Sequence, residues 1–138
     1  MPTPSSPKHI LLLGASRGLG LALAEEYLER GWHVVATERV SASAQLHALV
    51  TASEGRLDIE NVDITFPDQV AALRARLAAR RFDLLFVNAG VKNEDHETVA
   101  NVSTDEFIRV MITNALSPMR VLEAFRDLVH PSVDFRTF

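Results

Sequence analysis

The chain has 138 residues, enough for one domain with its own core. A hydrophobic fraction of 47%, a net charge of −4 and no cysteine fit a globular protein and exclude a disulfide framework, a thiol nucleophile and a cysteine metal site. Of its 14 basic residues only Lys8 and Lys92 are lysines. With no basic patch or aromatic stacking platform, no nucleic-acid partner is expected. No apolar run is long enough to span a bilayer, so no membrane partner is expected either. The composition fits a reducing cytoplasm.

Residues 1–8, rich in Pro and Ser, read as a disordered lead-in without a signal-peptide core. Strand one is expected over His9–Leu13, and a helix over Arg17–Arg30 ends at Gly31 as its C′ residue. Strand two covers Trp32–Thr37. The next helix covers Ser43–Ser53 and stops at Gly55. Strand three covers Leu57–Val62. Thr65 is a candidate cap for a third helix that has Pro67 in its first turn and runs to Arg80. Arginines 74, 76, 80 and 81 read as a solvated surface. Strand four covers Asp83–Asn88, and a polar loop runs from Lys92 to Asn101. Ser103 and Glu106 are spaced as a capping box for a last helix reaching Val129, where Pro131 stops it.

Alternating strands and helices predict an α/β fold: a doubly wound parallel sheet in three layers, α/β/α, in the order 3-2-1-4. Residues 9–130 form the domain. The C-terminal segment 131–138 alternates weakly from Ser132 and has room to supply a short fifth strand.

Four features then fall on one rim, at the carboxyl ends of the strands, where such sheets bind ligands. Gly14, Gly18 and Gly20 form a G-x3-G-x-G turn between strand one and its helix. Glycines let the backbone approach a pyrophosphate, and the helix start offers free N–H groups. Glu38-Arg39 follows strand two, Asp63-Ile64 strand three, and Asn88-Ala89-Gly90 strand four. Asp63 could equally begin a turn, and Asn88-Ala89-Gly90 could end a strand.

An acid after strand two favours a free ribose 2′-OH, hence NAD. Arg39 and Arg17 could pair with a 2′-phosphate, hence NADP. Two cations against one carboxylate tip the balance toward NADP, although Glu38 and Arg39 could also form a surface ion pair. In the last helix Pro118 has no N–H for the carbonyl of Asn114, four residues back, so a kink is expected there.

With these motifs the chain resembles the N-terminal part of the short-chain dehydrogenase/reductase family, over Lys8 to Val129. The resemblance implies a Rossmann-type fold and NAD(P)-dependent oxidoreductase ancestry with carbonyl or alcohol substrates. By position it implies that Gly14, Gly18 and Gly20 form the pyrophosphate turn, lined by Ser16, Arg17 and Leu19. Asp63, with Ile64 beside it, would receive the adenine amino group. Asn88, Ala89 and Gly90 would flank the adenosine ribose. Asn114 would occupy the proton-relay position, the one catalytic position of the family matched here.

The chain also departs from the family. Leu13 stands where a Thr is usual and Val87 where an Asn is usual, which is expected to loosen the turn. The catalytic Ser and the Tyr-x3-Lys pair are missing: the one tyrosine is Tyr27, and residue 31 is Gly. Dinucleotide binding with little or no turnover is expected. The alternatives are a non-catalytic cofactor-sensing or interaction module, or a truncated product without selected function. The last helix carries more apolar residues than one stripe needs, so a homo-oligomer is expected through that helix and the edge of strand four.

Overall fold

The computed structural model describes residues 5–131. Half of the expected lead-in and the Ser132–Phe138 segment lie outside the described residues; residues 5–8 form no helix or strand. Four parallel strands, β1 (His9–Leu13), β2 (His33–Glu38), β3 (Leu57–Asn61) and β4 (Leu84–Val87), lie in the order β3-β2-β1-β4. Leu11 sits opposite both Val35 and Leu85. The helices are α1 (Gly18–Glu29), α2 (Ala44–Ala52), α3 (Pro67–Arg76), α4 (Thr104–Met111) and α5 (Ser117–Phe125).

Consecutive strand residues point to opposite faces, so an unbroken apolar run feeds two cores. Ile10, Leu12, Val34 and Ala36 pack with Ala24 and Leu28 of α1 and Leu46 of α2. Leu11, Leu13 and Val35 pack with Val70 and Leu73 of α3 and Val121 and Phe125 of α5. Each fully buried Leu, Val or Phe contributes about 1.5–3 kcal/mol. This is the expected three-layer α/β/α arrangement with the expected strand order.

Local stops work largely as the residue types predict. Gly31 (φ 80°) follows α1. Its N–H reaches the Leu28 carbonyl, and the Trp32 N–H reaches that of Tyr27, the two bonds of a Schellman stop. The Ser43 hydroxyl caps α2 by accepting from the Leu46 N–H. Thr65 does not cap α3. Phe66 holds that position without a side-chain bond, because the Thr65 hydroxyl donates to Asp63 instead. The capping box at α4 is half formed. Ser103 accepts from the Glu106 N–H, but the Glu106 carboxylate turns to Arg109.

The last helix is not continuous. α4 passes into a π-helical turn, Ile112–Leu116, then α5, then a 3-10 turn, Arg126–Leu128. The Ser117 N–H bonds to the Ile112 carbonyl, five residues back. The expected disruption between Asn114 and Pro118 is therefore real and takes the form of a widened turn. Past the 3-10 turn Val129 is extended and bridges Phe82 in parallel, with Phe82 N–H bonding Leu128 O and His130 N–H bonding Phe82 O. This isolated bridge, to a residue two before β4, lies ahead of the segment expected to supply a fifth strand. Among the described residues no helix is long and apolar enough to cross a membrane.

Candidate cofactor cleft

A cleft of about 410 Å³ opens at the carboxyl ends of the strands. It brings together Gly14, Ser16, Arg17, Gly18, Glu38, Arg39, Asp63, Ile64, Asn88, Ala89 and Gly90, all expected from the sequence. Thr37, Val62, Thr65, Val91, Arg109 and Thr113 also line it and were not expected. Val62 and Thr65 flank a predicted pair. Arg109 and Thr113 come from α4 and the π turn, four residues apart, a spacing that puts both on one helix face.

The three glycines do different work. A Cβ on Gly14 (φ 89°) would lie 2.7 Å from the Ala89 nitrogen, and one on Gly20 would lie 1.9 Å from the Gly14 carbonyl oxygen. Both are needed for close packing within the protein. Gly18 (φ 55°) has nothing within 4 Å of its would-be Cβ, so it leaves space on the cleft side. Arg17, at the N-cap of α1, makes no side-chain capping bond. The first N–H groups of α1 therefore have no side-chain acceptor from the cap, the arrangement that suits an anion. Gly20 is buried beneath the turn and Leu19 is 62% exposed outside the cleft; neither lines it, although both were expected to belong to the site.

The turn is braced from three sides. Its Gly14 N–H donates to the Thr37 hydroxyl (3.0 Å) and its Ala15 N–H to the Thr37 carbonyl (2.8 Å). The Ser43 hydroxyl donates to the Ser16 carbonyl (2.6 Å). The Asn88 amide donates to the Gly14 carbonyl (3.0 Å). Thr37 thus gives polar support from β2 at a turn where Leu13 gives none. Leu13 is fully buried in the core, and its carbonyl accepts from the Asn88 and Ala89 N–H groups.

The charged groups are sorted by sign. Glu38 is 3% exposed, and both its oxygens are taken. Oε2 accepts from the Ser43 N–H (2.7 Å), and Oε1 meets His47 Nε2 (2.6 Å), which must carry the proton. Asp63 does form a turn: Oδ1 accepts from the Thr65 N–H (3.0 Å) and hydroxyl (2.7 Å). Its Oδ2 accepts no hydrogen bond from the described residues. Arg17 and Arg39 are exposed at the cleft. Neither guanidinium has a hydrogen-bond or ion-pair partner among the described residues, so a Glu38–Arg39 pair does not form. Arg109 pairs with Glu106 (Nε to Oε2, 2.7 Å) and donates to the Lys92 carbonyl (3.1 Å). That guanidinium holds the Glu106 carboxyl below its ordinary value, and Glu106 raises Arg109 in return.

Asn114 lines an adjoining hollow that shares Arg17, Arg39 and Gly90 with the cleft. Its amide clamps Val91, accepting from the N–H (2.8 Å) and donating to the carbonyl (2.6 Å). The side chain thus ties the π turn to the segment after β4. Tyr27 lies elsewhere, packed edge-on against Trp32.

A parallel doubly wound sheet with a glycine turn, an open helix start and unpaired cations at its carboxyl rim defines a dinucleotide-binding domain of the Rossmann type. The sequence profile of the short chain dehydrogenase family matches residues 8–131, and the chain belongs to that family. It is 29% identical over 126 residues to the short-chain dehydrogenase RED3 of Pyricularia oryzae, covering 87% of this chain and 50% of that protein. The chain spans about half the length of the curated relatives it matches. A Burkholderia multivorans short-chain dehydrogenase/reductase structure with bound NADP superposes with a TM-score of 0.86 at 55% identity, over 91% of this chain and 55% of that one. A Pseudomonas aeruginosa carbonyl reductase in complex with NADP gives 0.84 at 34% identity, over 90% and 54%.

Proposed function

We propose that this chain is the cofactor-binding part of an NAD(P)-dependent oxidoreductase of carbonyl or alcohol substrates, and that it prefers NADP(H) to NAD(H). The observation that carries the preference is the sorting of charge at the rim. The Glu38 carboxylate is buried on Ser43 and His47, while Arg17 and Arg39 stand open at the cleft. A carboxylate so held is already committed to two donors of the protein and competes poorly for a ribose 2′-OH, whereas two unpaired guanidiniums attract a 2′-phosphate. The two solved relatives above that carry NADP support the same reading.

In this reading Gly18 and the first N–H groups of α1 hold the pyrophosphate. Asp63 receives the adenine amino group through Oδ2, and Asn88–Gly90 flank the ribose. Asn114 fixes the Val91 segment and keeps a main-chain carbonyl without its i+4 donor, as a proton-relay position requires. When bound, the nicotinamide supplies or accepts the hydride. The 138 residues contain no Tyr-x3-Lys to donate the substrate proton, so the chain by itself binds cofactor and turns over little or none. General acid catalysis is worth about 10²–10⁴-fold.

Fluorescence titration of the 138-residue chain tests this. NADPH should bind about tenfold or more tighter than NADH. Arg39→Ala and Arg17→Ala should each weaken NADPH and leave NADH nearly unchanged. Equal or tighter NADH binding overturns the preference, and binding of neither overturns the reading. Ketone-dependent NADPH oxidation above background would overturn the lack of turnover.

A second copy of the chain is the partner we assign to the apolar face of α4 and α5, where Phe107, Ile108, Met111, Leu116, Met119 and Leu122 are exposed. Among the described residues no strand pairs with the outer side of Leu84–Val87. Light scattering should give at least a dimer at micromolar concentration; a clean monomer would exclude it.

A further inference from the structure

Four contacts around Glu38 form a continuous chain, of which the cofactor reading uses only the two at the carboxylate. The Ser43 hydroxyl donates to the Ser16 carbonyl in the glycine turn, and the same hydroxyl accepts from the Leu46 N–H. The Ser43 N–H donates to Glu38 Oε2, and His47 Nε2–H donates to Glu38 Oε1. Ser43 is the N-cap of α2, and His47 lies one turn further on, with its own N–H bonded to the Ser43 carbonyl. Both donors thus come from the start of one helix, whose positive end also favours a carboxylate.

Glu38 still lines the cleft. Its backbone is fixed at the end of β2, paired with Asn61 in β3 and accepting from the Val62 N–H. Only its side chain is free to change direction. Turned inward, its charge is met by two donors. Turned outward, it would stand beside Arg39 and Arg17 at the position that favours a free 2′-OH. What decides between the two is not the identity of residue 38 but whether α2 offers the donors.

We infer that Ser43 and His47 are the specificity-determining positioning residues of this cleft: they hold the Glu38 carboxylate away from the 2′ position and so convert an NAD-type acid into a site for a 2′-phosphate. The inference rests on the proposed preference for NADP(H). His47 is the side chain to test, because it is half exposed and can be replaced without opening the core. Its ring donates to Glu38 and, unlike Arg17 and Arg39, carries no part of the phosphate binding.

The experiment is a titration of the full chain and its variants with NADPH and with NADH, read as the ratio of the two affinities. His47→Phe keeps the ring volume and removes the donor. It should lower the NADPH:NADH affinity ratio about tenfold, by releasing a negative charge into the cleft that Arg17 and Arg39 also line. The double variant His47→Phe/Glu38→Gln should restore the ratio, because the released group is then neutral. His47→Gln, which can still donate to Oε1, should stay close to the parent. A merely structural role for His47 predicts equal losses for both nucleotides and no rescue by Glu38→Gln. That result overturns the inference, as does an unchanged ratio in a folded His47→Phe. If His47→Phe does not fold, the Gln variant and Glu38→Ala carry the test: both must keep the NADPH preference, and its loss in either overturns the inference. If the parent binds NADPH more tightly but the ratio ignores residue 47, only this inference fails. If the parent binds neither nucleotide, or binds NADH at least as well, the proposed function fails first.

Discussion

The two ends of the same four strands are both polar, but they are polar in opposite ways. At the amino ends several charged groups are answered from within the protein. Asp83 accepts from the His9 N–H, Arg80 pairs with Asp58, Arg81 donates to two carbonyls, and Lys8 lies over the Trp32 ring. At the carboxyl ends the carboxylates are answered, and of the cleft cations Arg109 is paired with Glu106 while two others are not. Glu38 is enclosed by Ser43 and His47, Asp63 is half engaged by Thr65, and Arg17 and Arg39 are left open. Composition alone would rate the ends alike. Which charges lack a partner separates a closed surface from an anion site.

The comparison breaks most severely at Gly20. The carboxyl rim is built by backbone packed on backbone, and a Cβ at Gly20 would sit 1.9 Å from the Gly14 oxygen. No side chain can move aside to relieve that contact. Gly20→Ala should cost about 3 kcal/mol in urea unfolding and abolish nucleotide binding. Gly18→Ala meets no atom within 4 Å but must adopt a positive φ, so its stability loss should be smaller, about 1 kcal/mol. If the two variants lost equal stability, Gly20 would not be a packing glycine.

A milder test separates the two walls of the cleft. The glycine-turn wall is braced by bonds among β1, β2, β4 and α2, but the Val91 segment is tied to the π turn by the Asn114 amide. Asn114→Ala should cost about 1 kcal/mol or less. It should raise amide hydrogen exchange around Val91 while leaving exchange at Ala15 unchanged. Equal acceleration at both would mean that the walls are one unit.

Most of the fold was legible because buried parallel strands read as continuous apolar runs, and Gly31 and Ser43 stop and start helices by local chemistry. The place of the break in the last helix was legible from Pro118 because a missing N–H is a covalent fact. Its form, a π turn, was not, because that depends on how α5 packs into the core below the sheet. The rim motifs located the cleft. The direction of the Glu38 side chain was hidden, since it depends on a helix start five residues later and a ring nine residues later. Gly20, expected in the pyrophosphate turn, packs on Gly14 of that same turn and does not line the cleft, because spacing cannot tell a glycine that faces a ligand from one that faces backbone. Thr65 was misread as a cap because Asp63, two residues back, competes for its hydroxyl.

The smallest expected effect lies at the closed end and concerns pH. His9 stacks on His33 at 4.8 Å between ring centres, and its Nδ1 is buried without a hydrogen-bond partner. Burial, then the neighbouring His33 and Arg80, hold its pKa below the ordinary value; His130 adds to this and Asp83 opposes it. The fold therefore favours the neutral ring. An unfolded His takes up a proton near pH 6.5, while the folded one does so at lower pH. Between those values the unfolded chain binds more protons, so stability rises with pH and falls on acidification from about 6.5 downward. The melting temperature should be level above pH 7 and decline below about 6.5. His9→Phe keeps the stacked ring without the titrating nitrogen, so the decline should be shallower. An unchanged slope in His9→Phe would move the pH dependence to other histidines. It would also show that the unpaired Nδ1 is not the weak point of an otherwise closed rim.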